Sequence, residues 1–282
     1  MKRYRVTTFD FDSRAYFLEE SIKPEWEQRV KENWIQNKNE ITQGLMAEFG
    51  QVNYPMKINN FVEMGRKPFS IVAFHNRFFE QARVAFVMGA YYPALTGVCA
   101  LGERILNHLV VRLRDYFKSS PEYKQVYGKD SFENWDRVLD ILKGWSILRP
   151  DTIESFLKLK KLRNDNIHFD PSTDYHDREN ALRAITEMTA IIGCQFAVAG
   201  TLPWFIPNTK GVTYIAKQWE TNPFVKEIYL PNCELVGPRH RMEHRNGRLF
   251  AVDDEEYEDR EITDEEFVAL AERKTRATGD AP

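Results

Sequence analysis

Cysteine is scarce in this sequence: three residues in 282, Cys99, Cys194 and Cys233, with no CxxC pair among them. That odd, dispersed set excludes a disulfide framework and a thiolate zinc cage, and reduced structural thiols are expected. Charge of one sign is also lacking. With 39 basic against 42 acidic residues and a formal net charge of -3, no global positive field points to nucleic acid, so any such surface must be local. The opening MKRYRVTTFDFD has no apolar leader segment, and a cytoplasmic chain is expected. There is no Walker loop, GxGxxG, HExxH or GxSxG. Nucleotide hydrolysis, dinucleotide redox chemistry, zinc proteolysis and the serine-hydrolase elbow therefore lack their markers, and no cofactor is expected. No metal site is expected either. His240 and His244 are four apart in a predicted strand, which sets them about 13 Å apart, too far to share an ion.

Long uncharged runs are few. Met188 to Thr209 carries no charged side chain and approaches spanning length, but Gly193, Gln195, Gly200, Pro203 and Pro207 interrupt it. A buried helix running into a loop accounts for that pattern, and no membrane partner is expected.

What is present is the composition of a folded chain, 43% hydrophobic and 13% aromatic. Tyr4 to Phe11 reads as a strand, with Ser13 as N-cap of a helix interrupted by Pro24. Glu25 to Phe49 carries apolar residues every three or four positions and ends at Gly50, which predicts a long amphipathic helix. Tyr54-Pro55, Asn59-Asn60 and Lys67-Pro68 read as a polar linker before an apolar helix from Ser70 to about Gly89. Pro93 suits N1 of a core helix ending near Ser119. Further helices are expected over Ser131 to Leu142, over Asp151 to about Ile167, and from Asp177 into the uncharged run. Beyond Asn208, Gly211 to Ala216, Glu227 to Leu230 and Leu235 are strand-like, and Arg239 to Val252 resembles a hairpin turning at Asn246-Gly247. An acid-rich stretch from Asp253 to Glu266 follows, in which Thr263 would cap a terminal helix. The fold class is mainly α: an N-terminal helical extension (1–68), a helical-bundle domain (69–205) and a small C-terminal α+β module with an acidic tail (206–282).

One segment carries chemistry. In LKKLRNDNIHFDP, residues 159–171, Arg163 is followed after four residues by His168, at the end of a predicted helix. Another long helix follows, and the core helix with PALTGVCALGERILNHLV lies upstream. The order and the motif resemble the HEPN (higher eukaryotes and prokaryotes nucleotide-binding) superfamily over about residues 69–205. Asn164 stands where the family often has a polar residue, and Glu103 where its earlier core helix often brings an acidic group to the site. Some family members carry a tyrosine two residues after the histidine; Asp170 stands there instead.

The resemblance implies metal-independent endoribonuclease activity, as in bacterial defence or stress effectors. A ribose 2'-hydroxyl attacks the adjacent phosphate, which requires proton transfer and cationic stabilisation of the phosphorane. His168 would move protons, Arg163 would fork onto two phosphate oxygens, Asn164 would orient one of these groups, and Glu103 would orient or polarise them. Lys158, Lys160 and Lys161 would guide RNA phosphates, although a basic last turn also complements a helix dipole. Each chain brings one motif histidine to a reaction that moves two protons, so a homodimer sharing one cleft is expected, with the C-terminal module open to a protein partner.

A second Arg-x4-His, Arg239 to His244, falls in the predicted hairpin, whose Arg239, His240, Arg241, Arg245 and Arg248 form a second basic candidate surface. Phe74, Phe78, Phe79 and Phe86 are spaced as a core face. The alternative reading is a non-catalytic helical module that binds a nucleotide, RNA or protein.

Overall fold

The computed structural model describes residues 1–167, 175–245 and 248–278, and the fold is mainly α with three two-stranded antiparallel sheets among these residues. The chain opens with β1 (Arg3–Val6) and β2 (Phe9–Asp12), so the expected single strand is two, each with its own partner. A short α1 (Arg14–Glu19) follows. Ser13 stands at its N-cap but makes no side-chain cap bond, and Asp12 Oδ1 accepts from the Arg14 amide instead. α2 (Gln28–Phe49) ends at Gly50 with φ 76°, the left-handed region that glycine tolerates without a Cβ penalty.

The expected polar linker is ordered. α3 (Tyr54–Met64) starts with Pro55 in its first turn, where a missing N–H costs nothing, and Asn60 is buried with its amide donating to Phe86 O and Tyr91 Oη. β3 (Lys67–Ile71) pairs with β2 through an irregular register between Asp10 and Asp12. The next helix, α4 (Asn76–Val87), therefore starts six residues later than its apolar content suggests.

α5 (Tyr91–Leu113) is the spine of the bundle. It packs against α4, against α7 (Trp135–Gly144), α8 (Pro150–Ile167) and α9 (Asp177–Gln195), with the single turn α6 (Tyr123–Val126) leading into α7. Pro93 sits at its third residue rather than its first. Val98, Leu101, Ile105, Leu109 and Leu113 are buried at spacings of three and four, as a core-facing stripe requires. Tyr91–Phe117 is also the one described helix long and apolar enough to cross a membrane by length and composition, with 56% of that window buried by its neighbours. The uncharged run divides as expected. α9 buries Met188, Ile191 and Ile192, then stops at Gln195, whose side chain accepts from Arg149 N and donates to Ile147 O.

In the C-terminal part, Gly211 to Ala216 makes only isolated bridges, to Arg5 and Phe205. Val225–Tyr229 is a π-helical turn rather than a strand, because Ile228 and Tyr229 are both drawn into the core and Tyr229 Oη donates to Ala197 O. β4 (Cys233–Val236) pairs with β1, more than 220 residues away in sequence. The hairpin of β5 (Arg241–Arg245) and β6 (Arg248–Val252) has the expected register, while its Asn246-Gly247 turn lies outside the described residues. Thr263 Oγ1 caps α10 (Asp264–Thr278) by accepting from Glu266 N. Fully buried Arg3 then ties β1 to the first residue of this helix, Asp264, at 2.6 Å and to Glu261 of the segment before it at 3.1 Å.

Candidate functional site

Helix α8 buries Phe156, Leu159 and Leu162 against the bundle, which turns Lys160 and Arg163 toward the start of α7. Arg163 Nη2 lies 3.4 Å from Glu103 Oε2 of α5, sixty residues earlier, and the two side chains are about one-third exposed. Trp135 forms the floor. Its Nε1 donates to the same Glu103 oxygen at 3.4 Å, and the Arg163 guanidinium carbon sits 5.9 Å from its ring centroid.

Two local features place that indole. Asn107, one turn beyond Glu103, donates to Phe132 O at 3.0 Å and accepts from Phe132 N at 2.6 Å, which pins the entry to α7 onto α5. Asn134 caps α7 by accepting from Arg137 N, so Trp135 is its first helical residue. Gly102 completes the fit: a Cβ there would stand 2.6 Å from Trp135 Cη2, so only glycine lets the ring approach α5 this closely. In front of Arg163 is an open cavity of about 310 Å3, lined also by Glu133, Asn134, Asp136 and Lys160. Lys160 Nζ is held by Asp136 Oδ2 at 2.5 Å.

Arg163 and Glu103 are thus brought together, and Asn164 is exposed at the adjoining position. His168 and Asp170 lie outside the described residues. The three lysines divide between two places. Lys160 shares the Arg163 cavity, whereas Lys158 and Lys161 line a separate depression of about 510 Å3 between α8 and α9. Lys158 pairs with Glu154 at 2.7 Å and Lys161 with Asp165 at 2.5 Å.

Among the described side chains of the basic hairpin, three arginines are paired with acids of the hairpin and of the stretch after it. Arg241 meets Glu243 and Asp254, Arg245 meets Glu243, and Arg239 meets Glu255. Trp135 and Asp136 escaped notice in the sequence; the signal that could have found them is the asparagine cap immediately before an aromatic at a helix start.

Electrostatically, Arg163 acts on the core as well as on the cavity. Cys99, one turn before Glu103 and fully buried, has its thiol pushed up to about 12 by burial, with the charge of Arg163 opposing that rise. Burial likewise raises Cys233 to about 12 and lifts Cys194, and all three cysteines are free thiols with little thiolate character. Among the described residues no three His, Cys, Asp or Glu side chains converge as metal ligands would. Comparison with protein-family models, with curated proteins and with solved structures finds no match for this chain.

Proposed function

We propose that the chain is a HEPN-like endoribonuclease that acts without a metal ion, with Arg163 and His168 as its catalytic residues and Glu103 as a positioning residue. The observation that carries this reading is the contact of Arg163 with Glu103 across the α5–α8 interface, at the mouth of an open cavity and one turn before the end of α8. The arginine of the motif and the upstream acid are in contact, which supports that reading.

Several features suit phosphate chemistry. Arg163 contacts Glu103 through one guanidinium nitrogen and is 30% exposed, so further N–H groups remain for two phosphate oxygens. Glu103 and the Trp135 face restrain the guanidinium before substrate arrives, which lowers the ordering cost at the phosphorane. Lys160 adds a second cation on the same side, and Asn164 is at hand on the solvent face. His168 would take the 2'-hydroxyl proton or return one to the leaving 5'-oxygen, and the second proton would be handled by His168 of another copy in a homodimer. Substrates would be RNA, since the nucleophile is the ribose 2'-hydroxyl.

The test is incubation of the purified chain with total RNA in EDTA. Cleavage with 2',3'-cyclic phosphate ends is expected, lost in Arg163→Ala and in His168→Ala and retained in Arg239→Ala and His244→Ala. Light scattering across a dilution series, with activity followed in parallel, checks the dimer. A second reading, a non-catalytic helical binding module, is favoured by one observation: the guanidinium of Arg163 is already engaged by Glu103 and Trp135, as a purely structural tie between α5, α7 and α8 would be. Intact RNA in every arm would favour it.

A further inference from the structure

The solvent face of α5 next to Glu103 carries a row that no part of the reading above uses. Arg104, His108 and Arg112 are spaced i, i+4, i+8, so they lie along one side of the helix over about 12 Å. Each is laid on an aromatic ring. The Arg104 guanidinium carbon is 4.5 Å from the centroid of Phe78, and that of Arg112 is 5.7 Å from the centroid of Phe74. Between them the His108 ring stacks on Phe74 with centroids 4.5 Å apart and planes 18° from parallel.

Among the described residues, neither arginine has a carboxylate within ion-pair distance. The nearby acids of the same helical segment are engaged elsewhere, Glu103 with Arg163 and Asp115 with Lys118. Both arginines are exposed, while Phe74 and Phe78 are half-buried beneath the row.

We infer that this face binds single-stranded RNA, with Arg104 and Arg112 gripping alternate phosphates and the His108 ring and guanidinium planes offering stacking surfaces to the bases. Three properties support that occupant. The row is cationic and uncompensated, which suits a polyanion. Its guanidinium groups are held by rings rather than by carboxylates, so their N–H edges are free for phosphate oxygens and little side-chain freedom remains to be lost. Its two arginines are about 12 Å apart along the helix axis, a span compatible with every second phosphate of an extended strand, and the His108 ring lies between them as a stacking surface. Burial and the flanking charges of Arg112 and Arg104 hold His108 below the usual histidine range, so its ring is neutral at pH 7 and suited to stacking.

The choice of RNA rests on the proposed function, and the row begins one residue after Glu103, which would lead a bound strand past Arg163. The test separates binding from cleavage. The full chain is titrated with a fluorescein-labelled oligouridylate carrying 2'-O-methyl groups throughout, across a salt series. Each phosphate contact on a single strand contributes roughly 0.7 to the slope of log affinity against log salt. Arg104→Gln with Arg112→Gln should therefore flatten the slope by about 1.4 and weaken binding at least tenfold at low salt. Arg104→Lys with Arg112→Lys should recover most of the slope. Lys23→Gln with Lys217→Gln, which removes the same charge from exposed, ion-paired lysines outside α5, should leave the slope nearly unchanged.

Thermal melts of every variant accompany the titrations. If the glutamine pair fails to fold, the lysine pair and His108→Ala carry the test, the latter by weakened affinity with an unchanged slope. A wild-type slope in the folded glutamine pair overturns the inference, as does a polyglutamate that competes as well as RNA, which would assign the face to an acidic protein. Loss of RNA cleavage activity in the wild type, with this binding pattern intact, would sink the nuclease proposal and leave the RNA surface standing.

Discussion

Adding one methyl group at Gly102 and at Gly97 of α5 should change stability in opposite directions. Both positions lie in the middle of a helix, where replacing glycine by alanine returns about 0.5–1 kcal/mol through reduced backbone freedom in the unfolded chain. At Gly97 the new Cβ meets only Ala82 Cβ at 3.6 Å, an ordinary contact, so the full gain should be realised. At Gly102 it falls 2.6 Å from Trp135 Cη2 and 2.9 Å from Leu159 Cδ2, where carbon atoms rest at about 3.5–4.0 Å. The indole must retreat by about an ångström. It is 2% exposed and hydrogen-bonded to Glu103, so it has little room to do so.

Overpacking of this kind costs about 1–3 kcal/mol. Against the propensity gain, Gly102→Ala should lose a net of about 1–2 kcal/mol, a fall in Tm of about 2–8 °C, while Gly97→Ala should rise by about 1–4 °C. Urea unfolding followed by tryptophan fluorescence reads the difference. Since Trp135 floors the Arg163 cavity, the proposed nuclease function further requires that RNA cleavage by Gly102→Ala fall by more than its loss of folded protein explains. A Gly102→Ala chain as stable as Gly97→Ala would refute the close approach of α5 to Trp135, and with it the account of how Arg163 is placed.

His75 provides a pH test. It is 1% exposed, and burial first, then the neighbouring charge of Lys67, hold its pKa down at about 3 against 6.5 unfolded. Its folded value is depressed, so its neutral form is fully accommodated above pH 6.5. As pH falls from 6.5 toward 3 the unfolded chain takes up a proton that the folded chain refuses, and about 2 kcal/mol is lost by pH 5. Denaturant titrations at pH 7 and pH 5 should show that loss, and His75→Gln should remove it. Lys57 closes the C-terminal end of α2 by donating to Phe49 O at 2.6 Å while itself buried. Lys57→Met strands that carbonyl and should cost about 1–3 kcal/mol by thermal melt.

Legibility followed the range of the cause. The helices α2, α8 and α9, the β5–β6 hairpin and the Thr263 cap were all readable because periodicity, a glycine after a helix and a hydroxyl before one act within a turn or two of chain. The segment from Tyr54 to Phe69 was misread as linker, and Ser70 and Ile71 as helix, because their order comes from elsewhere: β2 supplies the ladder for Lys67–Ile71, and α4 and α5 supply the partners of Asn60. Glu227–Leu230 is strand-like in content yet helical, because the core takes Ile228 and Tyr229 from one turn.

The same division runs through the candidate site. Within helices read from sequence, 100° per residue puts Arg163 and Lys160 on one face, Lys158 and Lys161 on another, and Arg104, His108 and Arg112 in a row, although the sequence reading grouped the three lysines and singled out no row on α5. Only the tertiary structure decided which face meets α5 and α7 and which meets α9, that Glu103 reaches Arg163, that Trp135 lies beneath both, and that the arginines of α5 rest on rings without carboxylates beside them. Those contacts join residues tens of positions apart, and they are set by how whole helices bury their apolar stripes rather than by any local preference of the residues that touch.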